Sequence, residues 1–260
     1  MTSVIHAISR TPQVYPFGLR GTGFAIWKTM LRPSCLVIFA ACAAATLLGG
    51  CAAVATNTSH TFDTVVIDPG HGGRDSGAVR RYSPAEKIVA LDVAQRVDRK
   101  LRESQLHTVM TRDNDTFIPL DERVAMGNTE KNSIFVSIHF NDARRRGVRG
   151  FETYYHSPYA FPLANAIERN LLTLPRSANR GVHVAAFRVL RNLQYPSVLV
   201  ECGFLSNRSE GNLVGSVAYR EQLADKIAEA IVDYRYGEGV YRRQPAFAAK
   251  AANESFPTFR

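Results

Sequence analysis

Three apolar runs restrict this fold more than any other feature: "FDTVVID" from Phe62, "SIFVSIHF" from Ser133 and "SVLVECGF" from Ser197. None alternates polar with apolar residues, as a strand with one wet face would. Such runs are strands buried on both faces, central in a sheet that helices must cover. The intervening segments supply the helices. Ser83 to Glu103 carries Ile88, Leu91, Ala94, Val97 and Leu101 on one helical face. A second helix begins at Pro119 in "PLDERVAMGN", a third covers Tyr159 to Leu172, and Val217 to Tyr236 carries Leu223, Ile227 and Ile231. "HTVMT" and "GFETYYH" read as further strands, with a turn at Arg180–Gly181. The predicted fold class is a single α/β domain, a twisted mixed sheet, mostly parallel, with helices on both faces. There is no internal repeat and no second core-forming domain.

The runs also end in polar residues. His71 follows the first in "VVIDPGHGG", His139 lies near the end of the second, and Glu201 ends "SVLVE". A turn needs glycine or proline but has no need of an imidazole. In open α/β sheets the carboxyl ends of central strands converge on one edge, where chemistry is placed. Two histidines and a carboxylate on that edge fit a catalytic zinc site with one position left for water. Each residue also has an ordinary reading. His71 could be a hydrogen-bonded loop residue and His139 a satisfied core histidine. Glu201 is harder to dismiss, because an ionised carboxylate among apolar neighbours is costly without a partner. "SPAE", Ser83 to Glu86, reads as a capping box with proline at the first helical position, which would make Glu86 structural.

Charge excludes one function class. The formal net charge is +9, but between Phe62 and Tyr236 there are 24 basic and 21 acidic residues, a net of +3. No basic stripe interleaved with aromatics runs through that core, so a nucleic-acid partner is not expected. The excess lies at the ends, in Arg10, Arg20, Lys28 and Arg32 and in Arg242, Arg243, Lys250 and Arg260. The N-terminal cations precede "CLVIFAACAAATLLGGC", Cys35 to Cys51, an apolar run too short to span a membrane comfortably and followed by small residues. Its end, "LLGGC", resembles the lipobox of bacterial lipoproteins, which implies cleavage before Cys51 and lipidation of that thiol. Met30 offers a second start with a compact basic region, "MLRPS". The expected organisation is a signal peptide over 1–50, a tether over 51–61, a folded domain over 62–236 and a disordered tail over 237–260. Cys35 and Cys42 leave with the signal, so only Cys202 remains in the domain and no internal disulfide is possible.

Five motifs in order, "VVIDPGHGGRDSGA", "EKIVALDVAQRVDRKL", "VMTRDNDTFIPLDERVAMGN", "SIFVSIHFN" and "VLVECGFLSN", resemble the zinc-dependent N-acetylmuramoyl-L-alanine amidases. The match is to the family with a His-Glu-His metal site and runs from about Val65 to Tyr236. The resemblance implies one Zn2+ held by His71, Glu86 and His139, with Glu201 as the catalytic acid/base, and so overrides the capping-box reading of Glu86. It implies cleavage of the amide joining N-acetylmuramic acid to the L-alanine of the stem peptide. Peptidoglycan or its fragments would be the substrate, and a lipid anchor at Cys51 would hold a monomer in the envelope, facing the periplasm. Ala52 carries no acidic retention cue, so an outer-membrane destination is open where there are two membranes.

Other positions are divided between roles. Asp68 either orients His71 or makes an Asp-Pro turn. Asn141 lines the site or makes an Asx turn. Arg191 contacts a substrate carboxylate or the developing oxyanion, or is simply solvated. Arg123 reads as a structural ion-pair residue and Arg144 to Arg146 as a solvated loop. Some members of the resembled family carry a long helix that blocks the zinc. Here Gly150 to Arg180 has room for one ordinary helix, which implies an uninhibited domain or one controlled by location. The rivals are a zinc peptidase acting within the stem peptide, a catalytically silent lipid-anchored wall binder, and a thiol hydrolase using Cys202. Glu201, which binding alone would not need, argues against the binder. Cys202 points opposite to Glu201 along its strand, which argues against the thiol.

Overall fold

The structure is a computed structural model and describes residues 56–145 and 147–243. The signal segment, Met30, Cys51, Arg146 and the tail from 244 lie outside the described residues. Six strands form one sheet: β1 (Thr64–Pro69), β2 (His107–Met110), β3 (Ser133–Asn141), β4 (Phe151–Tyr155), β5 (Asn179–Val184) and β6 (Ser197–Phe204). Their spatial order is β2-β1-β3-β6-β4-β5, and only the β4–β6 pair is antiparallel. The helices are α1 (Glu86–Glu103), α2 (Leu120–Thr129), α3 (Phe161–Leu171), α4 (Arg188–Arg191), α5 (Arg208–Gly215), α6 (Val217–Tyr236) and α7 (Val240–Arg243). No described helix is long and apolar enough to cross a membrane.

Strand alternation sorts the core into two layers. Val65 and Ile67 of β1, Ile134, Val136, Ile138 and Phe140 of β3, and Val198, Val200 and Cys202 of β6 join the larger cluster, under α1, α3 and α6. Val66, Phe135 and Leu199 face the other way and meet Val124 of α2 and Val189 and Leu190 of α4. Each fully buried side chain of this kind stabilises the fold by roughly 1.5–3 kcal/mol. The second face is thinly covered. Its polar positions at the carboxyl ends of the strands, Asp68, Ser137, His139 and Glu201, follow the parity of that smaller cluster. The larger core thus supports a working face on the opposite side of the sheet.

Several expectations change. Helix α1 starts at Glu86 rather than Ser83, and Ser83 Oγ is buried without a hydrogen-bond partner, so the capping box does not form. The helix instead begins where Glu86 N donates to Ala78 O at 2.9 Å. Its buried face is Glu86, Val89, Ala90, Val93, Ala94, Val97 and Leu101, while Ile88 is exposed. Turning Glu86 inward brings the residues three, four, seven and eleven positions later in with it. The expected turn at Arg180–Gly181 lies inside β5, an edge strand paired in parallel with β4. Its largely exposed residues give it no apolar signal. The short helices α4 and α5 also lacked a readable period.

The ordered fold extends past 62–236 at both ends. Thr58 is buried and its hydroxyl donates to Ser133 O at 2.6 Å, so the last part of the expected tether lies against the sheet. After α6, Gly237 turns the chain at φ 105°, and Asp233 accepts from Gly239 N and Tyr241 N, each at 2.9 Å. Tyr241 is thereby buried in the larger cluster.

Candidate metal centre

The loop after β1 is built to hold one imidazole in an uncomfortable place. His71 has φ 60°, a left-handed conformation that is rare outside glycine. It is retained because its neighbours are clamped. Arg123 donates to Pro69 O at 2.7 Å and to His71 O at 2.6 Å, and Arg112 donates to Pro69 O at 3.0 Å and Gly70 O at 2.6 Å. Both arginines are buried. Such over-determination offsets a strained backbone of about 1–3 kcal/mol. Gly72 and Asp75 then exchange backbone hydrogen bonds, which returns the Asp75 carboxylate to His71 Nδ1 at 2.9 Å. Nδ1–H donates to Asp75, so Nε2 is the nitrogen that faces the site interior.

Glu86 meets that nitrogen. Its Oε1 lies 2.9 Å from His71 Nε2 and 3.0 Å from His139 Nδ1, and accepts from Phe140 N at 3.1 Å. Its Oε2 accepts from Ala78 N at 2.8 Å. The candidate ligand atoms of His71, Glu86 and His139 all lie within 4.8 Å of one another, and this is the one such group among the described residues. The two rings meet edge to face with centroids 4.9 Å apart. Two glycines make the convergence possible. A Cβ at Gly70 would lie 2.3 Å from His139 Cε1, and one at Gly77 would lie 2.5 Å from Glu86 Oε2.

The charges suit a cation. Burial would raise the Glu86 carboxyl, but hydrogen bonds and charge interactions with His139 and His71 hold it far below the carboxylate range. Burial lowers the His71 imidazole, yet Glu86 and then Asp75 bring it above its ordinary value. A buried anion flanked by two imidazoles gives three donors of the kind zinc takes.

Glu201 pairs in register with His139 across β3 and β6. Its Oε2 is buried and has no hydrogen-bond partner among the described residues. Burial, then the charges of Glu86 and Glu152, push its carboxyl well above the ordinary range. Beside it Cys202 faces the larger core, and burial pushes that thiol up too, away from the thiolate a nucleophile needs.

The remaining expected residues separate. Asp68 does not touch His71, because Asp75 occupies that place. It accepts from Thr111 Oγ1 at 2.6 Å, Ser137 Oγ at 2.7 Å and Arg123 Nη1 at 2.6 Å, and reaches His71 only through Arg123. Arg123 is therefore the ion-pair residue expected of it and also a clamp on the loop. Asn141 points its amide to Glu152 at 2.6 Å. Arg191 is exposed on α4, and no hydrogen bond or ion pair among the described residues joins it to the triad. Arg144 and Arg145 are exposed, as a solvated loop should be. Sequence reasoning missed Asp75, Arg112, Glu152 and Arg180. Of these only Asp75 carried a signal, a carboxylate four residues after the histidine in a glycine-rich loop.

Comparison with known proteins identifies the family. A family model described as N-acetylmuramoyl-L-alanine amidase matches residues 65–233. The chain is 36% identical over 198 residues to the N-acetylmuramoyl-L-alanine amidase LytC of Bacillus subtilis, covering 72% of this chain but only 40% of that longer protein. It is 31% identical to AmiA of Escherichia coli, covering 65% of this chain and 75% of the relative. Among solved structures, AmiC2 of Nostoc punctiforme is similar at a TM-score of 0.64 and 39% identity, over 66% of this chain and 96% of that one. With fold, motif order and relatives in agreement, the chain belongs to the N-acetylmuramoyl-L-alanine amidase family.

Proposed function

We propose that the protein is a peptidoglycan hydrolase that cuts the amide between N-acetylmuramic acid and the L-alanine of the stem peptide. The observation carrying this is the convergence of His71, Glu86 and His139 with Glu201 in register beside them, in a chain of this family. His71 through Nε2, His139 through Nδ1 and Glu86 through its carboxylate would hold one zinc ion. Asp75 would fix the His71 tautomer, as carboxylates do for metal-bound histidines. When bound, zinc supplies a Lewis acid for the scissile carbonyl and lowers the pKa of attacking water toward neutrality.

The protein's own part falls to Glu201. Its carboxylate takes the proton from the attacking water and delivers it to the departing L-alanine nitrogen, so the product leaves as an amine. A nearby cation would pull the Glu201 carboxyl back down toward the range in which it can act as a base. Cys51 would carry lipid and tether the domain to the envelope, beside its polymer.

Mass analysis of peptidoglycan after incubation with the purified protein and zinc tests this reading. Free stem peptides beginning with L-alanine, together with peptide-free glycan, are expected. Cuts between stem amino acids would replace it with the peptidase reading, and intact wall would overturn it. Gly70→Ala gives an independent check on the centre. The added methyl would drive the His139 ring out of line, so zinc affinity measured by calorimetric titration should fall about ten- to a hundredfold. An unchanged titration would mean that His139 is not a ligand.

A further inference from the structure

Beside Glu201 the same face carries a buried carboxylate that the proposed reaction leaves unused. Glu152 of β4 is buried directly across from Glu201 in register. It accepts from Asn141 Nδ2 at 2.6 Å, from Tyr154 Oη at 3.0 Å and from Arg180 Nε. A carboxylate with both oxygens so engaged is poorly placed to move a proton. Its leverage is on Arg180, whose side chain is 40% exposed and whose guanidinium lies 5.3 Å from the Phe204 ring centroid.

A guanidinium presents five N–H donors in a rigid fork. Arg180 spends Nε on Glu152, and its two terminal nitrogens have no acceptor among the described residues. Pinned at Nε and laid against a ring, the fork has lost much of its rotamer freedom before any ligand arrives. What remains is an oriented cation, ready for a bidentate anion, two strands from Glu201, with Glu152 on the strand between them. On the substrate, the lactyl carboxyl of the sugar is consumed in the scissile amide, so free carboxylates come from the peptide.

We propose that Arg180 is a specificity determinant that receives the one free carboxylate of an acidic residue following L-alanine, with Glu152 as its positioning residue. This rests on the amidase reading. It makes the enzyme selective for stem peptides whose second residue is a free acid over those in which that group is a carboxamide. A charge-assisted bidentate contact corresponds to about a ten- to a hundredfold preference in kcat/KM.

The test uses two soluble disaccharide peptides that differ only in that carboxylate or carboxamide, with wild type, Arg180→Gln and Arg180→Lys. Wild type should prefer the acid, mainly through KM. Arg180→Gln should lose the preference by weakening cleavage of the acid alone, and Arg180→Lys, which keeps the charge, should restore part of it. Equal cleavage of both peptides by wild type overturns the proposal and leaves the amidase reading intact. Loss of activity on both peptides alike in Arg180→Gln overturns it too, since Arg180 would then serve only to hold Glu152. If Arg180→Gln does not fold, wild type and Arg180→Lys still decide. Failure of wild type to cut either peptide removes the amidase reading and this proposal with it.

Discussion

Glu201→Gln should lower amide cleavage by about 10²–10⁴-fold, the usual contribution of a positioned general acid/base, with zinc content unchanged. The substitution keeps shape and removes the exchangeable proton site. Glu201 stands on β6, whereas the three candidate metal donors come from the loop after β1, from α1 and from β3. Loss of catalysis without loss of metal is therefore the specific expectation. Chelation should abolish both, and added zinc should return wild-type activity but not that of the variant. Rate measurement on purified peptidoglycan beside metal analysis separates the two. A variant that loses zinc would place Glu201 among the ligands, and one that keeps its rate would transfer the acid/base role elsewhere. The variant should also fold at least as stably as wild type. A carboxylate with its Oε2 buried and unpartnered, beside Glu86 and Glu152, is a burden to the resting fold, and a neutral amide relieves the charge.

The same conflict makes the candidate site legible in the sequence. "SVLVECGF" is a buried strand by composition, and Glu201 violates that composition, which is where local rules give way to function. His71 and His139 were visible for a similar reason, since neither a tight turn nor an apolar strand needs an imidazole. Glu86 was hidden in its local pattern, whose signal was a good structural one, and only the family resemblance pointed to it. "SPAE" satisfies the rule for a capping box, while tertiary contacts with Ala78 N, Phe140 N and the two histidines show the carboxylate engaged elsewhere. The sheet was readable in its centre, where strands are apolar on both faces, and unreadable at its edge, where β5 is polar. Arg180 and Glu152 were lost with that edge. Their pairing spans 28 residues and joins adjacent strands, which no local pattern encodes.

Arg123→Met should destabilise the protein by about 3–5 kcal/mol, the cost of leaving a buried charge without its partner. Arg123 and Asp68 are both nearly inaccessible, at 4% and 1% side-chain exposure, and pair at 2.6 Å. Methionine fills much of the volume but offers no donor to Asp68, Pro69 O or His71 O. In a domain of this size the melting temperature should drop by roughly 10 °C or more. Burial alone would raise the Asp68 carboxyl. In wild type the Arg123 charge and hydrogen bonds from Thr111, Ser137 and Arg123 outweigh it and hold the group below its ordinary value. That stabilisation is complete above the unfolded carboxylate value and is lost as pH falls through the lower folded one. Without Arg123 the balance tips toward burial, and the folded value rises above the unfolded one. The penalty in the variant is then largest at neutral pH and shrinks in acid, so the two melting curves should converge as pH is lowered. Asp68→Asn added to Arg123→Met should recover part of the loss at neutral pH, because it removes the orphaned charge. Thermal melts of all three proteins between acid and neutral pH check this, and a gap that widens in acid would refute the assignment. Zinc affinity should fall in the single variant as well, since Arg123 is one of the two clamps that keep His71 in its left-handed conformation.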